Sequence, residues 1–139
     1  MIQIYTDGAY SSKRNQGGWA FIVISDGKII HKDFDGLMNT TNNRMEIISV
    51  MKAFEWIKDN PGEYEIFSDS MYVIGTLTLN WKRNKNLDLW YKMDEFNQNI
   101  VKLTHVKGHS DNNWNNKCDE YAVFASSLIN CKNDLCLIS

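Results

Sequence analysis

Four carboxylates occupy positions where their type and setting could support hydrolytic chemistry: Asp7, Glu46, Asp69 and Asp119. Asp7 follows the β-forming run Ile2 to Thr6, and Asp69 follows Glu63 to Ser68, so each is expected to end a strand. Glu46 and Asp119 border apolar stripes in the early part of two helices. In open α/β sheets, ligands bind near the carboxyl ends of strands. Four carboxylates meeting there in a partly desolvated pocket would raise one another's pKa values and could not all stay ionised without a cation. Oxygen-only donors suit a hard divalent ion such as Mg²⁺. Two such ions about 4 Å apart would clamp the attacking and leaving oxygens of a phosphodiester. The sequence leaves the convergence open. Glu46, expected in a first helical turn, is also what capping and the helix dipole favour there.

The elements that must position these groups are legible as an alternation of strand and helix patterns. Ile2 to Asp7 reads as a strand and Ala9 to Gly18 as a polar loop. Trp19 to Ile24 reads as a buried strand, Ser25-Asp26-Gly27 as a tight turn, and Lys28 to Phe34 as the returning strand. Thr40 to Asn43 offer hydroxyl and amide caps, and Ile47, Val50, Met51, Phe54 and Ile57 recur at helical spacing until Asn60-Pro61-Gly62 stops the helix. A fourth strand covers Glu63 to Ser68, a short helix Ser70 to Leu79, a basic loop Asn80 to Asn86, and an amphipathic segment Leu87 to Gln98. Val101 to Val106 is the fifth strand, Lys107 to Asn113 a polar loop, and Trp114 to Ile129 the last helix. This order predicts an α/β fold with a mixed sheet, three antiparallel strands then two parallel, and helices packed on it. Residues 1–130 are expected as one domain and 131–139 as a short tail.

The totals bound the function only loosely. A chain of 139 residues, 43% hydrophobic and 12% aromatic, can build one real core. A net charge of −2 does not announce a nucleic-acid partner, although a local basic patch works within an acidic total. No apolar run is long enough to span a bilayer, and Met1-Ile2-Gln3-Ile4 enters strand-like sequence without signal-peptide anatomy. Cys118, Cys131 and Cys136 form neither a disulfide framework nor a zinc site. A cytoplasmic protein without a membrane partner is expected, and nothing demands more than a monomer. Cys136-Leu137-Ile138-Ser139 matches a prenylation box in form, but such four-residue patterns recur by chance.

Tyr5-Thr6-Asp7-Gly8, Gly17-Gly18-Trp19, Thr41-Asn42-Asn43-Arg44-Met45-Glu46, Ser68-Asp69-Ser70, Val106-Lys107-Gly108-His109 and Asn116-Lys117-Cys118-Asp119-Glu120 follow one another along the chain. In this order they resemble ribonuclease H of type 1, enzymes that cut the RNA strand of an RNA–DNA hybrid. The resemblance spans about Ile2 to Ile129. It implies a ribonuclease H-like fold, a five-stranded sheet with helices on both faces, and two Mg²⁺ ions, with Mn²⁺ able to substitute. It implies that Asp7 bridges both ions, that Glu46 and Asp119 each complete one shell, and that Asp69 helps hold the ion of the attacking water. His109 would assist proton transfer or product departure; without the resemblance it reads as a solvated loop histidine. The products would carry a 5′-phosphate and a 3′-hydroxyl. Thr41, Asn42 and Asn43 would contact the hybrid, as well as serving as helix caps.

The chain departs from that pattern in three places. A long basic helix and loop, present in many bacterial members, is reduced to Trp81, Lys82, Arg83 and Lys85, which read equally as a phosphate-binding stub or a solvated loop. The loop after Asp7 carries Lys13 and Arg14, candidates for phosphate contacts. Met71 stands where a glutamine is common. Two other classes compete with the hybrid nuclease: a hybrid-binding module without chemistry, and an integrase or junction resolvase on the same fold. All four carboxylates are retained, which disfavours the first. The Asn42 to Glu46 and Lys107 to His109 signatures disfavour the second. Association with a polymerase or another nucleic-acid protein stays open.

Overall fold

The computed structural model describes residues 1–108 and 112–134. His109 and the segment Cys136 to Ser139 lie outside them. Strands β1 (Ile2–Ser11), β2 (Gln16–Ser25) and β3 (Lys28–Met38) form an antiparallel meander. Helix α1 (Asn42–Asp59) crosses back to β4 (Tyr64–Ser68), which pairs parallel to β1. Helices α2 (Met71–Thr78) and α3 (Leu87–Met93), and a single 3₁₀ turn at Gln98–Ile100, lead to β5 (Val101–His105), parallel to β4. Helix α4 (Asn113–Ala125) precedes β6 (Lys132–Asn133). The strand order is β5-β4-β1-β2-β3-β6.

Strand β2 shows why two layers of helices are needed. It is buried along nearly its whole length, so both faces of the sheet must be covered. By the period-2 alternation of a strand, Trp19, Phe21 and Val23 face one side, with Ile4, Ile66 and the apolar stripe of α1, and with Val73, Leu89, Trp90 and Met93. Ala20, Ile22 and Ile24 face the other, with Tyr5, Phe67, Cys118 and Ala122 of α4. Thr41 caps α1, its hydroxyl accepting from the Arg44 amide at 3.1 Å, an arrangement worth about 1 kcal/mol.

The sheet has six strands rather than the expected five. The added strand is β6, parallel to the end of β3 through Leu37–Lys132 and Met38–Asn133. It falls in the segment expected to be a tail, and Asp134 beyond it is 1% exposed. Two bonded residues and one buried charge leave no periodicity to detect. Four boundaries also differ. Strand β3 runs to Met38 rather than ending at Phe34, because it pairs with β2 out to Gln16–Met38. The loop expected from Ala9 to Gly18 shrinks to residues 12–15, because β1 and β2 pair out to Ser11–Gln16 and Asn15 adopts φ 48° to close the turn. The segment Leu87–Gln98 is helical only to Met93. Helix α4 stops at Ala125, where the Ser126 and Ser127 hydroxyls donate to the carbonyls of Val123 and Phe124. Among the described residues, no helix is long and apolar enough to cross a membrane.

Gly18 sets how closely α4 approaches the sheet. A Cβ there would meet the Ala122 carbonyl and lie 2.5 Å from the Ser126 nitrogen, both backbone atoms that cannot swing aside. Gly18→Ala is expected to cost about 2 kcal/mol or more through this overpacking, read as a lowered urea midpoint at unchanged slope.

Candidate active site

Register brings the first two carboxylates together. The parallel pairing of β1 with β4 ends at Thr6–Ser68, and neighbouring strands lie about 4.8 Å apart, so Asp7 and Asp69, one residue further on, stand level. Asp69 ends its strand as expected. Asp7 does not: β1 continues to Ser11 along β2. What ends at Asp7 is the pairing with β4, and the parted strands open the site there. The Thr6 hydroxyl donates to the Phe67 carbonyl at 2.9 Å and fixes the two strands just before they separate.

The third carboxylate arrives from above. Glu46 lies in the second turn of α1 rather than the first, because Thr41 is the cap and Asn42 the first helical residue. Its approach depends on Gly8, where a Cβ would lie 2.6 Å from the backbone nitrogen of Glu46 and 2.8 Å from its carboxylate. With no side chain there, the Gly8 amide donates to both Asp7 Oδ1 and Glu46 Oε1. Asp7, Glu46 and Asp69 each offer an oxygen, and these oxygens all lie within 4.8 Å of one another. Asp119 of α4 falls outside this tight group but lines the same open pocket, about 380 Å³, with Gly8, Ala9, Asn42 and Ser70. A larger groove of about 520 Å³ between Phe54, Lys58, Lys92 and Phe96 holds none of the candidate site residues.

Burial makes the group electrostatically costly. Asp7 is 3% exposed and Glu46 4%. Desolvation, then the nearby charge of Asp69, pushes the Asp7 carboxyl up to about 8. Glu46 is also held well above the usual carboxylate range, by burial first and then by Asp7. Asp7 Oδ2 is buried with no hydrogen-bond partner. A buried, unpartnered carboxylate oxygen beside two more carboxylates fits a hard divalent cation, which would neutralise the cluster.

The remaining predicted residues are placed less tightly. Asn42 lines the pocket, while Thr41 and Asn43 are exposed beside it at the start of α1. Lys13 and Arg14 are exposed at the tip of the β1–β2 hairpin, away from the pocket lining. Lys82 and Lys85 are exposed on the basic loop. Arg83 is engaged by Asp94 at 2.7 Å and lies over the Trp90 ring. Trp81 packs against Gly75 of α2 yet stays 44% exposed. Sequence reasoning missed Gly8 as a working part of the site, although a glycine directly after Asp7 was a usable signal. It also missed Ser70, whose hydroxyl caps α2 by accepting from the Val73 amide.

Fold and site together define an α/β enzyme of the ribonuclease H-like kind, with carboxylates gathered where its parallel strands part. The family model for RNase H matches residues 1–127. The ribonuclease H of Acetivibrio thermocellus is 37% identical over 138 residues, covering 88% of this chain and 92% of the relative. That of Caldicellulosiruptor saccharolyticus is 39% identical over 137 residues, covering 87% and 92%. In fold, the chain is similar to the crystal structure of LC11-RNase H1 in complex with an RNA/DNA hybrid, with a TM-score of 0.78 at 19% identity over 91% of this chain and 96% of that one. The chain belongs to the RNase H family, and it is an enzyme of that family.

The raised Asp7 value has a definite linkage. Its proton is held up to about pH 8 in the folded state but only to the ordinary carboxylate range when unfolded. The stability it contributes is therefore present at low pH and lost as pH rises from about 4 to 8. In chelator, Asp7→Asn is expected to melt several degrees above the parent at pH 8, with the gap closing towards pH 4. Added Mg²⁺ should raise the melting temperature of the parent and leave the variant almost unmoved. Thermal melts across this pH range, with and without the ion, check both.

Proposed function

We propose that this protein hydrolyses the RNA strand of RNA–DNA hybrids with two divalent ions, Mg²⁺ or Mn²⁺, leaving 5′-phosphate and 3′-hydroxyl ends. The observation that carries this reading is the convergence of Asp7, Glu46 and Asp69 to within 4.8 Å around a buried, unpartnered oxygen. Asp7, Glu46, Asp69 and Asp119 would hold the ions. Bound there, divalent ions act as Lewis acids on the phosphodiester and lower the pKa of an attacking water. The protein's own part is positional. The β1–β4 register and the Gly8 amide hold the carboxylates at fixed separation before substrate arrives, so little reorganisation is left for the reaction. His109 assists proton transfer or product departure. All four carboxylates come from one chain, which supports a monomer as the active form.

Substrate selection falls to the pocket rim. Asn42 lines the pocket, and its amide, able to donate and accept, would read a 2′-hydroxyl, the group that separates RNA from DNA. Thr41 and Asn43 stand beside it for a neighbouring phosphate or base edge. Lys13, Arg14, Lys82 and Lys85 are exposed and would meet the phosphates of the two backbones. Trp81 can lie against a sugar, while Arg83, engaged by Asp94, contributes less.

The test uses end-labelled RNA annealed to DNA, with duplex RNA and duplex DNA alongside. Cleavage confined to RNA in the hybrid, abolished by chelator and reduced about a thousandfold or more in Asp69→Asn, is the expected outcome. Hybrid binding without cleavage in either metal would overturn it. Binding of hybrid by the Asp69→Asn variant should fall with salt at a log–log slope no steeper than about −4, since roughly 0.9 is gained per neutralised phosphate and four cations are proposed to make phosphate contacts. A slope near −8 would contradict the small basic surface.

A further inference from the structure

Outside the carboxylate group, one heavily bonded side chain among the described residues is Arg44, the third residue of α1. All five of its guanidinium N–H groups are used. Nε and Nη2 donate to the two oxygens of Asp134 at 2.7 and 2.9 Å. Nη1 and Nη2 donate to the two oxygens of Asp88 at 3.0 and 2.8 Å, and Nη1 also reaches Asn86 Oδ1 at 3.4 Å. Two bidentate carboxylates on one guanidinium fix its plane as well as its position. Of the two carboxylates, Asp134 is the one with an unusual placement. Asp134 is 1% exposed, sits just beyond the two-residue strand β6, and also accepts from the Thr40 hydroxyl at 2.7 Å.

Asp134 therefore grips the loop–helix junction at both ends, through Thr40 before the cap and Arg44 after it. Between those points lie Thr41, which caps the helix through the Arg44 amide, and the Asn42–Asn43 pair. Of these, Asn42 lines the carboxylate pocket. Asp134 is buried and every guanidinium N–H of Arg44 is taken up within the chain, so neither is placed to touch substrate. A buried carboxylate that joins an edge strand to the first turn of the site helix is more than that two-residue strand needs for its own pairing.

We propose that Asp134, acting through Arg44 and Thr40, is a positioning residue that sets how Asn42 is presented to the nucleic acid. This rests on the hybrid-cleavage reading given above. Glu46 lies a turn deeper and is held independently by the Gly8 amide, so loosening the junction should weaken substrate engagement more than the chemical step. Substrate-positioning groups act in this way, through geometry rather than contact.

The test is steady-state hybrid cleavage in Mg²⁺ by Asp134→Asn, which keeps the side-chain shape and removes the charge. Thr40→Val, which keeps the shape and removes only the hydroxyl, is a second variant should the first fail to fold. Ile57→Val, in the last turn of α1, serves as a comparison of reduced stability. For the folded positioning variants, KM should rise about tenfold with kcat within about twofold of the parent. That rise should vanish when the same change is made in an Asn42→Ala background, because the two would then act on one interaction. A KM within about twofold of the parent, an equal rise in Ile57→Val, or full additivity with Asn42→Ala would each overturn the proposal. A parent protein that fails to cut hybrid would instead remove the reading on which the proposal rests.

Discussion

Carboxylates brought within a few ångströms in a protein interior repel one another, and each also loses the water that would stabilise its charge. Asp7 and Glu46 carry that cost here, with Asp69 beside them. The surrounding fold is organised to hold them in place despite it. Parallel pairing of β1 with β4 fixes Asp7 level with Asp69. The missing side chain at Gly8 lets α1 settle close enough for one backbone amide to serve two carboxylates. On the opposite face, the Cys118 thiol of α4 donates to the carbonyls of Tyr5 and Ala20 and ties the helix carrying Asp119 to the same strands. The repulsion is tolerated because each carboxylate is carried by a different rigid element, so relief would require moving a whole strand or helix.

A second cluster of acids, at Arg44, follows the opposite logic. Asp134 is as deeply buried as Asp7, but its oxygens meet a guanidinium and a hydroxyl. Arg44, in turn, is pushed further above its ordinary range, first by its bonds to Asp134. One buried aspartate is fully compensated within the chain and the other is left with a free oxygen. The difference separates a group that anchors structure from one that awaits a ligand. The two clusters meet α1 a turn apart, through Arg44 in its first turn and Glu46 in its second.

What could be read from the sequence follows from which signals are local. The strand alternation, the Asp26–Gly27 turn, the cap before α1 and the proline stop are each written in a few consecutive residues, and the element order was legible for that reason. The four carboxylates could be placed on elements but not brought together, because nothing local encodes the Thr6–Ser68 register or the closeness allowed at Gly8. Asp7 looked like a strand terminus because the polar residues after it resemble a loop. In the fold they continue the strand along β2. Asp134 was the least legible residue of all. It follows Asn130, Lys132 and Asn133, a composition typical of a surface tail, and its partners Thr40 and Arg44 are some ninety residues earlier in the chain.

That separation governs when the site becomes complete. During synthesis the β1–β2–β3 meander emerges first and pairs locally, and α1 and β4 can dock while the remainder is still being made. Asp134 emerges after every element it anchors, and its bond to Thr40 closes a loop of 94 residues. Loop closure over such a span carries a larger entropic cost than any hairpin in the sheet, and non-local contacts of this kind form late. The bonds that tie down the start of α1 are among the most non-local in the fold, whereas the β1–β2 pairing closes within a hairpin. The tie that steadies the start of α1 thus comes from far along the chain.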